Sequence, residues 1–172
     1  MADSDAPLGA PAEGAEAATQ PQPKISVQAQ YVRDSSFENV AVQSGDGKLD
    51  GKPDIQVGVN LDAKKRTEEL YEVILRVNAT ARNGENVMFI CELEYAGIFK
   101  VEGVPANQLH AYLLIECPRI LFPFARRIVS DMTRDGGYPP LMLDMVDFAG
   151  LYRSELERRR AAQQNGEATT VN

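Results

Sequence analysis

Residues 116–134 read ECPRILFPFARRIVSDMTR, the longest stretch of the chain with a helical pattern. Ile120, Leu121, Phe124, Ala125, Ile128, Val129 and Met132 recur at three- and four-residue intervals, which places them on one side of a helix. Arg119, Arg126, Arg127, Ser130 and Arg134 fall on the other side. Asp135-Gly136-Gly137 closes the element, because glycine takes the left-handed conformation that ends a helix. Pro118 suits a first helical position. Pro123 then either kinks the helix or marks its true first turn, since an interior proline costs about 3 kcal/mol. The apolar arc is wider than one sheet face needs. It predicts a helix packed on its own sheet and on a second surface supplied by another subunit.

Upstream, the period changes from helical to alternating. Ile25, Val27, Ala29 and Tyr31 alternate with Ser26, Gln28 and Gln30, the pattern of a strand with one wet face. A turn-rich loop, SGDGKLDGKPD (residues 44–54), separates it from a second strand over residues 55–61, with Ile55, Val57, Val59 and Leu61 on one face. A third strand covers residues 70–81. Asn83-Gly84 predicts a type I′ hairpin turn into a fourth, residues 87–99. The outer faces of these last two strands are mixed: Ile74, Met88 and Ile90 stand beside Glu92 and Glu94. Apolar groups there imply cover by a subunit or an offered ligand surface. Charge introduced at Cys91 or Leu93 is then expected to lower the oligomeric state.

Residues 103–115 read as a short helix or irregular segment. After the main helix, Pro139-Pro140 keeps YPPLMLDMVD (residues 138–147) extended, as a crossover over apolar surface. Asp147 is placed to cap a last helix carrying Phe148, Leu151 and Tyr152. The fold class expected is α+β, a four-stranded antiparallel sheet with two helices packed on one side. Residues 24–162 form the domain. Residues 1–23, rich in Ala, Pro and acids, and residues 163–172, a polar segment, are expected to be disordered tails.

The net charge of −7 argues against nucleic acid as a partner, which calls for a basic footprint. Four acids lie in the first 23 residues without a Lys or Arg, so the remainder is only mildly acidic. Two cysteines and one histidine form no metal-ligand spacing. No basic-then-apolar leader pattern and no run long enough to span a bilayer is present, so a soluble cytoplasmic protein without membrane insertion is expected. There is no GxGxxG, P-loop, HExxH or GxSxG. Neither a cofactor nor a catalytic residue is expected, and two functions stay open. One is a binding module for unfolded chains, built on apolar grooves with few directional polar groups. The other is a small-molecule binder or enzyme of hot-dog-like or cystatin-like type, which needs convergent polar groups in a closed pocket.

The helix, the Pro-Pro-Leu crossover and the last helix together resemble the bacterial SecB export-chaperone family. The likeness extends through LYEVILRV (residues 70–77) and FICELEYAGIF (residues 89–99) and spans roughly residues 25–160. It implies an ATP-independent holdase that keeps presecretory proteins unfolded and passes them to SecA, the translocase motor. It also implies a homotetramer, assembled as a dimer of dimers. The motor's basic, zinc-bearing C-terminal tail would contact Asp34, Glu38, Ile90 and Glu92. The zinc belongs to that partner. The implied client groove includes Val57, Val59, Phe99, Leu141, Leu143 and Phe148. Some relatives carry a tryptophan before the second strand, where this chain has Gly51; it has no Trp anywhere.

Overall fold

Asn83 and Asn86 pair as the last rungs of one ladder, joining β3 (Leu70–Asn83) to β4 (Asn86–Glu102). The turn between them is Gly84-Glu85. Gly84 has φ +60°, and among the described residues no non-glycine has positive φ. This is a type II′ turn with glycine first, rather than the expected type I′ turn over Asn-Gly. The hairpin forms as expected, but the asparagine sits in the ladder. β1 (Lys24–Glu38) pairs with β4 and β2 (Asp54–Lys65) with β3, giving the antiparallel order β1-β4-β3-β2. The computed structural model describes residues 23–45 and 53–168, with side chains through residue 163. The expected N-terminal tail, apart from Pro23, and most of the 44–54 loop, Gly51 included, lie outside the described residues.

The simple alternation expected in β1 does not hold. Register shifts fall between Val27 and Ala29 and between Val32 and Asp34, so Gln28 and Arg33 are extra residues opposite a continuous β4. A bulge reverses which face the following residues take. Val27 and Val32 pair with Phe99 and Tyr95 on the helix-covered face, whereas Ala29 and Tyr31 pair with Ile98 and Ala96 on the outer one. A third shift, at Ala81/Arg82, makes Met88 the unpaired residue of β4. Met88 therefore joins the core instead of the outer face.

One helix covers the sheet. α2 (Ala106–Asp135) runs unbroken through Pro118 and Pro123, and residues 106–115 are its first three turns. Pro105 caps it: its carbonyl accepts the N–H groups of Gln108 and Leu109 at 2.9 and 3.0 Å. The sequence placed the start near Pro118, but that side chain is fully buried against the core, and its packing offsets a missing backbone bond. Cys117, Leu121, Ala125 and Val129 pack onto Val73, Leu75, Val77, Cys91 and Leu93, each large side chain contributing roughly 1.5–3 kcal/mol. Burial pushes the Cys91 and Cys117 thiols up to about 11 and about 12, which makes them inert. Cys91 and Leu93 are core residues of a single chain, so a charge there would unfold it before it reported on assembly.

The end of α2 follows the expected glycine signal. Gly137, φ +86°, lets Tyr138 N–H reach the Thr133 carbonyl and Gly137 N–H reach that of Arg134. An extended crossover then leads to α3 (Phe148–Ala168), where the Asp147 carboxylate accepts the Gly150 N–H at 3.0 Å, as a cap should. α3 packs on α2 and not directly on a strand. It continues as helix to Ala168, past residue 163 where the C-terminal tail was expected to begin. A single turn, α1 (Val40–Gln43), follows β1.

Candidate functional site

The four residues expected to meet the motor lie on the outer face, at one end of it. Glu38 pairs with Ile90, Ser36 with Glu92, and Asp34 with Glu94. The bulge at Arg33 is what brings them there: were Arg33 paired in uninterrupted alternation, Asp34 and Glu38 would turn toward α2 and Phe37 toward solvent. Phe37 instead stacks on Phe89 beneath them, ring centroids 5.4 Å apart. Asp34, Glu38 and Glu92 are exposed, Ile90 half-buried. Among the described residues none of these three carboxylates has an ion-pair partner; Glu92 receives only the Ser36 hydroxyl, at 3.4 Å.

The centre of the same face is different. Arg33 lies 3.3 Å from Glu94 and 3.7 Å from Glu72; Arg76 donates to Glu94 at 2.6 Å and lies 3.8 Å from Asp62. Glu72, only 1% exposed, also accepts from the Tyr31 hydroxyl and from Arg66. Burial is the largest single influence on the Glu72 carboxyl and acts upward. The Tyr31 hydrogen bond and the arginine charges together outweigh it and hold the group below its ordinary value. Ile74 and Ala96, paired in register among these side chains, are fully buried. Ile74 therefore needs no second subunit to cover it.

A groove opens at the other edge, between β2 and the crossover. It is a cavity of about 340 Å³ lined by Ile55, Val57, Val59, Phe122 and residues 141–146. Val57, Val59, Leu141 and Leu143 come together there. Phe99 and Phe148 do not. Phe99 is 0% exposed in the sheet core, and Phe148, 2% exposed, packs edge-on against Phe122 at 5.8 Å. The resemblance implied both as groove positions, and their apolar character does not separate a core ring from a lining one. Leu143 lines the groove while itself being buried, whereas Val57 is 46% exposed. Ile55, Phe122, Met142 and Val146 were missed, although Ile55 shares the β2 face of Val57 and Val59 and was legible by alternation.

Val59 also borders a second cavity of about 530 Å³ between β2 and α3, floored by Leu61, Leu114, Leu151 and Leu156. His110 Nδ1 lies 3.2 Å from the Tyr152 hydroxyl at its rim. A separate apolar face runs along the β1 edge on the helix side. Val27, Val32 and Phe124 are exposed there, and Phe124, 44% exposed, stacks on Tyr95 at 6.2 Å. No described helix is long and apolar enough to cross a membrane.

An outer face with unpaired acids and an open apolar groove behind it describe a binding protein. The family model described as preprotein translocase subunit SecB matches residues 18–159. The protein-export protein SecB of Ruegeria pomeroyi is 56% identical over 167 residues, covering 95% of this chain and 96% of its own. That of Cereibacter sphaeroides is 57% identical over 160 residues, covering 91% and 93%. A SecB-like chaperone from Mycobacterium tuberculosis, solved with a ChAD peptide from an antitoxin, has the same fold. Its TM-score is 0.53 at 18% identity, over 71% of this chain and 90% of that one. The chain belongs to the SecB family of protein-export chaperones. That membership sets aside the hot-dog-like or cystatin-like architecture.

Proposed function

We propose that this chain is an ATP-independent holdase that keeps presecretory polypeptides unfolded and delivers them to SecA. The observation that carries this is the separation of two unlike surfaces on one sheet. The groove of Val57, Val59, Leu141 and Leu143 offers mostly apolar area to an extended chain, with Asp144 the one charged side chain in its lining. The outer end of Asp34, Glu38, Ile90 and Glu92 offers unneutralised carboxylates around an apolar residue, which suits the motor's basic, zinc-bearing tail. The working form is a homotetramer, a dimer of dimers. Val32, Phe124 and Val27 supply uncovered apolar surface for it.

Calorimetry against a zinc-loaded motor-tail peptide and against an unfolded precursor tests the two surfaces. Glu92→Lys is expected to weaken the peptide, more so at low salt, because exposed charge attraction is screened within about 8–10 Å at physiological salt. Precursor capture should stay. Val57→Asp should do the reverse, with little salt dependence, because apolar burial is worth roughly 25 cal/mol per Å² regardless of ionic strength. Val57 is chosen over Leu143 because it is exposed, so charge there does not enter the core. Equal loss of both partners in both variants, with the fold and assembly intact, would overturn the two-surface assignment.

A further inference from the structure

We infer that Arg33 is a positioning residue that confines motor docking to one end of the outer face. The inference rests on the docking role proposed above for Asp34, Glu38 and Glu92, and adds what limits its extent. Arg33 is the extra residue of the β1 bulge, so its side chain shares the outer face with Asp34 instead of alternating with it. Its guanidinium spans Glu94 and Glu72 at 3.3 and 3.7 Å. Together with Arg66 and Arg76 it sets three guanidinium groups against the three carboxylates of Asp62, Glu72 and Glu94. Glu94 adjoins the acidic run, as the register partner of Asp34 and two residues from Glu92, and without Arg33 only Arg76, shared with Asp62, would balance it. One cation at the boundary thus divides a centre without net negative charge, where Lys64 also lies 3.6 Å from Asp62, from an acidic end. A basic peptide meets attraction only at the end, and its position is set by where that attraction stops.

Replacing Arg33 with Gln takes one of its two guanidinium partners from Glu94, which keeps Arg76 at 2.6 Å, while Glu72 keeps Arg66 and Tyr31, so this part of the face loses one positive charge. The R33Q chaperone should bind a zinc-loaded motor-tail peptide a few-fold tighter at low salt, with a steeper salt dependence. Backbone amide shifts on binding should spread from the Asp34–Glu92 end to the neighbourhood of Glu94 and Tyr31. Arg33→Lys keeps the charge and should behave as the parent chain. The double variant R33Q/E94Q removes the carboxylate that had lost a cation and should restore both the parent affinity and the parent footprint, which a purely structural role for Arg33 would not do. Unchanged or weaker peptide binding by R33Q, an unchanged footprint, or failure of E94Q to reverse the effect would overturn the inference. Glu92→Lys with Arg33 in place separates the two levels. If it weakens the peptide while R33Q does nothing, only the Arg33 assignment falls. If it leaves the affinity untouched, the docking role and the Arg33 assignment fall together.

Discussion

The backbone N–H of Leu141 donates to the hydroxyl of Thr133 at 2.9 Å, and that hydroxyl, fully buried, lies 3.1 and 3.0 Å from the carbonyls of Val129 and Ser130. One side chain thus ties the crossover to the last turns of α2 and holds Leu141 and Leu143 over β2. Thr133→Val keeps the volume but leaves the Leu141 N–H unpaired, a cost of about 1–3 kcal/mol. The melting temperature should fall by several degrees, and precursor capture should weaken with it. A thermal scan superimposable on the parent would show that the clamp is idle.

The lowered Glu72 carboxyl makes a pH prediction with a definite sign. A carboxyl held below its ordinary value of 4.5 contributes stability that is complete above that value and is lost as pH falls through the lower, folded one. Denaturant midpoints of the parent and Glu72→Gln should therefore differ most near neutral pH. The gap should begin to narrow below 4.5 and close on further acidification, because a protonated Glu72 resembles glutamine. A gap that stays constant down the whole acid range would mean the ion pairs to Arg66 and Arg33 contribute nothing.

Assembly should respond to the β1-edge face and not to the sheet core. Phe124→Asp puts a charge on a ring that is 44% exposed in the single chain, so the protomer should keep its circular dichroism while light scattering reports a smaller mass. An unmodified chain that is monomeric at micromolar concentration would end the tetramer proposal outright.

Gly97 sits where Leu121 of α2 packs against the sheet. A Cβ there would lie 2.6 Å from the Phe99 ring and 2.9 Å from Leu121 Cδ2. Gly97→Ala should destabilise by about 1–3 kcal/mol, the usual cost of overpacking. A chemical-denaturation midpoint equal to the parent's would show that the helix can lift without penalty.

Where the chain was legible, one local signal dominated. The alternation of β3 and β4, the glycine stop of α2 and the Asp147 cap each involve neighbours in sequence, and each formed. Where it was misread, a distant partner decided the outcome. Pro118 looks like a helix start until α2 seats it in the core, and Phe99 looks like a groove wall until Gly97 and Leu121 close over it. The bulges of β1 depend on the register of β4, which no periodicity within residues 24–38 reveals. For the same reason, the acidic residues of the outer face were found by resemblance to a family. Asp34 and Glu38 do not share a face with Tyr31 by spacing alone unless Arg33 is known to be extra.

The two bulges also say how the length of β1 can change. Each is a point where parity has already been broken and compensated, so removing Gln28 or Arg33 would straighten the strand and leave every other side chain on its present face. A deletion between Asp34 and Glu38 has no such refuge. It would send Phe37 out into water and draw a carboxylate in toward the Phe89 and Tyr138 rings. Gains and losses of single residues in this strand should therefore be tolerated at two places and excluded from the stretch that carries the acidic end.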